Sequence, residues 1–497
     1  MRLEYPDAPA EPLSEKEAGA YYTPDAVVAS LVAWTVKSQD DRLIDPSCGD
    51  GRFIATHRNS VGIEQDCRAT QIAMERAPWA LVHKGDFFSW ASETTERFEA
   101  AAGNPPFIRY QRFKDAVRAR ALAFCSELGA QLSGLASSWA PFIIATAGLL
   151  KNGGRMAFVV PAEIGHAPYA APVLEFLVAN FSVVHIIAVR KKLFPELSED
   201  CWLLFASEKG GSTREFRFSA LDTFTSRDSP PREFIRVSLT HWREQWKRRL
   251  RPFVLGQRAR DLYRLVSDRL VSRLFGHLAS IGIGYVSGAN DFFHLRPSDA
   301  KRWRISSKLL QPTVRNGRML PPSRLTGSVV ERWIRNDDPV LLLKLAKTTS
   351  IPTSVKNYLS TAEAHVAKEA YKCRVRDPWY SVPDVQTPAF FLSYMSGQKP
   401  SLVRNDAKCT CTNSVHGVRI KNAVEANRHL SGWNSEFVQL SCELEGHPLG
   451  GGMLKIEPRE AGQIVLPAPA TFGLLDQKIV AEAIETMRAW RHYSAAT

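Results

Sequence analysis

The chain has 497 residues, too many for one ordinary core, so two or three domains are expected. Apolar residues make up 44% and charged residues 23%, a balance that excludes disorder on a large scale and leaves no apolar run near the roughly 18 residues a membrane span needs. A formal charge of +13 favours a polyanionic partner, nucleic acid above all.

Residues 1–20 form an expected N-terminal arm; they lack the apolar core of a secretory leader, so a cytoplasmic location is expected. Gly19-Ala20-Tyr21-Tyr22-Thr23-Pro24-Asp25 then opens a helix, with Thr23 as its N-cap and Pro24 at the first helical position. Val27, Val28, Leu31, Val32 and Trp34 give it an apolar stripe. The stretch from Arg42 through Asp45-Pro46-Ser47-Cys48-Gly49-Asp50-Gly51 reads as an apolar strand, a small loop and a helix start. Gly49 and Gly51 let backbone approach a ligand closely, and the helix start offers free N–H groups. The loop is neither a Walker loop nor a complete G-x-G-x-x-G pattern.

Val61-Gly62-Ile63-Glu64 is a second strand, ending in a carboxylate placed to take both hydroxyls of a ribose. A third strand from Leu81 runs into Asp86 and Phe87, which could bond an exocyclic amine and pack its ring. The fourth ends in Asn104-Pro105-Pro106-Phe107. Its prolines fix φ and remove two N–H donors, so the Asn104 side-chain oxygen and the Pro105 carbonyl form a rigid acceptor pair beside the Phe107 ring. Such a pair suits a planar amine, although Asn-Pro alone also marks an ordinary turn. Asp45, Glu64, Asp86 and Asn104 close successive strands, and that series is far more specific than any one member, because ligands of open α/β sheets bind along that edge.

Residues 109–134 read as a polar, basic loop or lid. A helix over 137–151, a buried strand over 156–160, a helix over 172–180 and strands over 183–189 and 201–206 follow. Between the last two, Lys191-Lys192-Leu193-Phe194 reads as a basic loop with an exposed aromatic. Residues 209–255 turn polar and mark a boundary. From Arg243 to Arg273 arginines and lysines crowd around Trp242, Trp246 and Tyr263, as in a phosphate-tracking connector or, alternatively, a solvated basic face. Residues 280–470 suggest an irregular α+β domain, and 473–493 a final helix. Cys373, Cys409, Cys411 and Cys442 fit no common zinc-finger spacing; reduced thiols and no metal are expected.

In this order the motifs resemble the γ-class N6-adenine DNA methyltransferases of the TaqI/Eco57I-like restriction-modification type, whose cofactor motifs precede a C-terminal target-recognition domain. The stretches Gly282 to Phe293, Arg376 to Tyr380 and Gly450 to Pro458 resemble that recognition domain. The resemblance implies an α/β fold: a class I S-adenosylmethionine-dependent methyltransferase domain with a seven-stranded Rossmann-like sheet over 21–208, a basic connector over 209–278 and an α+β recognition domain over 279–497. It implies S-adenosylmethionine held by Tyr22, Thr23, Asp45, Ser47, Cys48, Gly49 and Gly51, with Glu64 on the ribose and Asp86 and Phe87 on the adenine. Asn104, Pro105, Pro106 and Phe107 become the catalytic turn. A flipped adenine of double-stranded DNA stacks between Phe107 and Phe194, with Lys192 and Asn290 also on the DNA. A monomer is implied, with a separate restriction endonuclease as possible partner and no membrane contact. Asp50 departs from the family pattern, where a small or hydroxyl residue is more usual. The same fold also serves N4-cytosine, RNA and protein-glutamine methyltransferases, and an inactive DNA-specificity subunit is the alternative of another class.

Overall fold

The computed structural model describes residues 23–108, 113, 115–197, 199–269, 271–347, 350–468, 471 and 475–493. The expected arm over 1–20 and Tyr22 lie outside these. The first of two units runs to Val254. Its helices are α1 (Asp25–Thr35), α2 (Cys67–Arg76), α3 (Phe87–Glu93), α4 (Asp115–Glu127), α5 (Trp139–Gly148) and α6 (Ala171–Asn180). Its strands are β1 (Leu43–Asp45), β2 (Ser60–Glu64), β3 (Leu81–Lys84), β4 (Phe98–Gly103), β5 (Leu150–Pro161), β6 (Phe181–Val189), β7 (Cys201–Lys209), β8 (Glu215–Leu221) and β9 (Ile235–Ser238). Among the described residues they form one sheet in the order β3-β2-β1-β4-β5-β7-β6-β8-β9. Strands β1 to β5 run parallel to one another, and β7 runs antiparallel between β5 and β6. This is the fold of class I S-adenosylmethionine-dependent methyltransferases.

Strand order reverses between β1 and β4, and a parallel sheet opens a crevice at such a point. The strands there are short and apolar or small: Leu43, Ile44 and Ala100 to Ala102 are fully buried. One layer of core joins Val27, Leu31 and Trp34 of α1 to Ala157, Val159, Ile187 and Leu203 of the sheet. Helix α5 is apolar all round and buried all round, as a helix inside a large unit must be.

Several expected boundaries shift. Pro24 has an extended ψ of 140°, so α1 starts at Asp25 and Thr23 does not cap it. Part of the expected lid, residues 115–127, is the helix α4. The sheet does not stop near residue 208. Strand β8 pairs with β6 and buries Phe216 and Phe218, and Trp242 lies edge-on against Phe216 at 5.0 Å. Trp242 and Trp246 are therefore core side chains, and the divide between units falls after Val254 instead of bracketing a separate connector over 209–278.

The second unit, from Leu255 onwards, is mixed α and β. Among the described residues its largest sheet has five strands, ordered Ala279–Ile283, Val415–Ile420, Phe390–Ser393, Leu402–Asn405 and Arg324–Leu325. Helix Gln477–Trp490 is anchored by the buried Arg491, which donates to both Glu443 carboxylate oxygens at 2.7 and 2.9 Å. Cys373, Cys409, Cys411 and Cys442 are buried thiols, and no cluster suited to a metal occurs among the described residues. No described helix is long and apolar enough to cross a membrane.

Candidate active site

Asp45 closes β1 with its side chain buried. Its Oδ1 accepts the Ser47 N–H at 3.1 Å, while its Oδ2 has no hydrogen-bond partner among the described residues. Burial pushes its carboxyl up to about 8; the Ser47 N–H opposes the shift, and the nearby Glu64 and Asp50 carboxylates add to it. Gly103, at the end of β4, permits this contact, since a Cβ there would sit 2.6 Å from Asp45 Oδ1.

The loop after β1 is held to the next strand. Cys48 N–H donates to the Ile63 carbonyl at 3.0 Å, and Gly49 N–H donates to Glu64 Oε2 at 3.0 Å. Gly51 has φ +84°, and a Cβ on it would lie 2.8 Å from Ala73 Cα, so α2 packs directly on the loop. The Cys48 thiol is raised by burial and stays inert. Glu64 also accepts the Asp66 N–H at 2.8 Å, so its carboxylate is fixed at the end of β2.

Asp86 caps α3: its Oδ2 accepts the Ser89 N–H at 2.8 Å, and Arg120 of α4 lies 3.2 Å away. The Phe87 ring is buried, stacked on Phe142 with centroids 5.1 Å apart. The Asn104–Phe107 turn follows β4 directly, beside Asp45 across the β1–β4 pairing. Ser47 Oγ donates to the Asn104 carbonyl at 3.5 Å, and Ser138 Oγ donates to the Pro106 carbonyl. Pro105 is buried and Phe107 half-buried.

Hydrogen bonds link Asp45, Ser47, Asn104, Gly49 and Glu64 at the ends of β1, β2 and β4, and Thr23, Cys48, Gly51, Asp86, Phe87, Pro105, Pro106 and Phe107 lie in the same unit. Others sit differently from expectation. Phe194 is buried, in the same core layer as Leu193, Leu197 and Phe53, with Phe107 packed against that layer. The apolar side chains of this loop turn inward, and the exposed aromatic expected there is absent. Lys192 Nζ donates to the Leu197 carbonyl at 2.7 Å, closing its own loop. Asn290 belongs to the second unit, where its Oδ1 accepts from Ser287 Oγ at 2.5 Å and it borders a cavity of about 750 Å³.

Family models match three stretches: residues 10–74 to N-6 DNA Methylase, residues 55–194 to Eco57I restriction-modification methylase, and residues 247–495, half of the chain, to the C-terminal domain of Type II methyltransferase M.Eco57I. The chain belongs to the Eco57I family of restriction-modification methylases. It is 24% identical to the Type II methyltransferase M.XamI of Xanthomonas campestris pv. amaranthicola, over 92% of this chain and 87% of that protein. It is 18% identical to M.AccI of Acinetobacter calcoaceticus, over 96% of this chain and 90% of that protein. A solved structure of the Type IIL restriction-modification enzyme MmeI in complex with DNA matches in fold, with a TM-score of 0.50, 13% identity, and 94% of this chain and 71% of that one covered.

For an Eco57I-family methylase the departure at Asp50 has a structural explanation. Asp50 is buried and ion-paired with Arg76 and, at 3.1 Å, with Arg52, whose Nη1 also reaches Asp25 at 3.1 Å. The carboxylate ties the loop after β1 to α1 and α2, a job no hydroxyl could do with two guanidinium groups. Ser138, Arg120 and Arg76 are site residues that the sequence reading missed. Only Ser138 left a signal, a serine just ahead of an apolar helix, and that signal reads first as a helix cap.

Proposed function

We propose that the protein methylates N6 of an adenine flipped out of duplex DNA at a specific sequence, with S-adenosylmethionine as donor, within a restriction-modification system. The observation that carries this reading is the Asn104–Phe107 turn standing at the β1–β4 switch point, one serine bond away from the loop that holds Asp45. Family membership supports it.

The site fits the proposed cofactor. Asp45 Oδ2 is a buried acceptor lacking a partner among the described residues, flanked by Glu64 and Asp50, so the pocket calls for a cation. S-Adenosylmethionine, when bound, supplies an electrophilic methyl group and a positive charge beside Asp45 and Glu64. Thr23, Asp45 and the loop from Ser47 to Gly51 would hold its amino-acid end, Glu64 the ribose, and Asp86 with Phe87 the adenine; Tyr22 belongs to the same proposed set.

N6 cannot be reached inside the base stack, so the target base leaves the duplex. The Asn104 side-chain oxygen and the Pro105 carbonyl accept its two N6 protons. This draws electron density onto N6 and aims its lone pair. Rigid placement and local dipoles do the work, with no strong base needed before attack. Phe107 stacks on the base, an interaction worth about 1–3 kcal/mol. Phe194 reaches the other face only by leaving its place among Leu193 and Leu197. The second unit reads the DNA sequence.

Modified-base sequencing of DNA from cells expressing the protein tests the reading, since it reports base, motif and strand together. N6-methyladenine at one motif is expected; N4-methylcytosine or no modification would overturn it. Asn104→Ala should abolish methylation while cofactor binding, followed by calorimetry, stays nearly intact.

A further inference from the structure

We infer that Ser138 is a positioning residue for the Asn104–Phe107 turn, setting the aim of the Pro105 carbonyl; this rests on the reading of that turn as the adenine clamp. Ser138 is 1% exposed and stands at the N-cap position of α5. A serine there ordinarily turns its hydroxyl back onto an N–H of the first helical turn. Ser138 makes no such bond. Its hydroxyl donates to the Pro106 carbonyl and accepts the Ile108 N–H at 2.9 Å, and its own N–H donates to the Ile108 carbonyl at 2.9 Å. The residue that opens α5 thus makes one hydrogen bond to the turn and two to Ile108, the residue that follows it, and gives up a helix cap to do so.

The need follows from the prolines. Pro105 and Pro106 have no N–H groups, so half of the backbone donors that could brace the turn are missing. Bracing comes from two serine hydroxyls on other elements: Ser47 on the Asn104 carbonyl at 3.5 Å and Ser138 on the Pro106 carbonyl. The Pro105 carbonyl lies between these two tied carbonyls, and its direction is set by them. Ser47 links the turn to the cofactor loop. Ser138 links it to a helix buried in the core, which gives the firmer anchor.

The test compares wild type, Ser138→Ala and Ser138→Thr on a duplex carrying the methylated motif. Three quantities are read: single-turnover methyl transfer, cofactor affinity by calorimetry, and base flipping by fluorescence of 2-aminopurine at the target position. Ser138→Ala should slow transfer about 10- to 100-fold, as expected for a misaimed acceptor, with cofactor affinity and the flipping signal near wild type. Ser138→Thr keeps the hydroxyl and should recover most of the rate. A wild-type transfer rate in Ser138→Ala would overturn the inference. So would equal losses of rate and cofactor affinity, which mark a merely structural serine. If the wild type itself methylates no adenine, the reading of the turn fails; if the wild type and Ser138→Ala methylate equally, only the inference about Ser138 fails.

Discussion

Asp45 makes the candidate site sensitive to pH. Its carboxyl is pushed up to about 8 by burial, against an ordinary value near ~4 in an unfolded chain. Between these values the folded protein keeps a proton that the unfolded chain has lost. Stability of the ligand-free protein should therefore fall as pH rises through that window. A cationic ligand favours the ionised form, so its affinity should rise with pH up to about 8. Thermal melts and calorimetric titrations from pH 5 to 8 check both trends, and Asp45→Asn, which cannot titrate, should flatten them. Phe194 calls for a different pair of variants. Because it is 6% exposed, Phe194→Ala should cost about 3–5 kcal/mol of stability whatever its role. Phe194→Leu keeps most of the volume and should cost less than ~1.5 kcal/mol. If Phe194 also stacks on the flipped base, the leucine variant should still lose much of the 2-aminopurine flipping signal; an unchanged signal would leave Phe194 a core residue only.

The loop between β1 and β2 is organised by Asp50. One buried carboxylate faces Arg52 and Arg76, whose side chains are 31% and 36% exposed. Screening of these half-exposed partners keeps the value of the clamp moderate, so Asp50→Ala should lower stability by about 1–2 kcal/mol in urea unfolding. Affinity for the proposed cofactor should weaken with it, since the loop carrying Gly49 and Gly51 loses its ion pairs to Arg52 and Arg76. The basic stretch from Arg243 to Arg273 behaves differently from its sequence reading. Arg243 and Arg248 reach Glu175, Arg264 reaches Asp268 and Arg273 reaches Glu425, all within their own units. Arg243→Ala should thus leave the salt dependence of DNA binding unchanged, and a slope reduced by about one phosphate contact would restore the arginine to the DNA interface.

At the scale of the whole molecule, two units divide the labour proposed for the chain. The first carries the strand-end site; the second matches the C-terminal domain model of M.Eco57I. A net charge of +13 predicts that log affinity for duplex DNA falls linearly with log salt, by about 0.9 for each phosphate neutralised. Filter-binding or anisotropy titrations from 50 to 200 mM salt measure that slope, and a flat response would remove DNA backbone contacts from the proposal.

The series Asp45, Glu64, Asp86 and Asn104 was legible because each member ends a short strand or follows it within two residues, so that strand, turn and polar residue are adjacent in the chain. The rigidity of the Asn104–Phe107 turn was equally local, set by two prolines. What these groups touch was not legible. Ser138 lies far along the chain from Pro106, Arg76 from Asp50 and Arg243 from Glu175, and no local pattern encodes which partner a hydroxyl or guanidinium will find. Burial of Phe194, Trp242 and Trp246 was hidden for the same reason: an aromatic in a basic stretch reads as exposed until the sheet it packs on is in place. The sequence by itself thus determined the chemistry arrayed along one edge of the sheet, because that chemistry is carried by contiguous residues. Only the tertiary structure decided which carbonyls are tied, which rings are core and which charges are already paired, because those depend on contacts between elements distant in the chain.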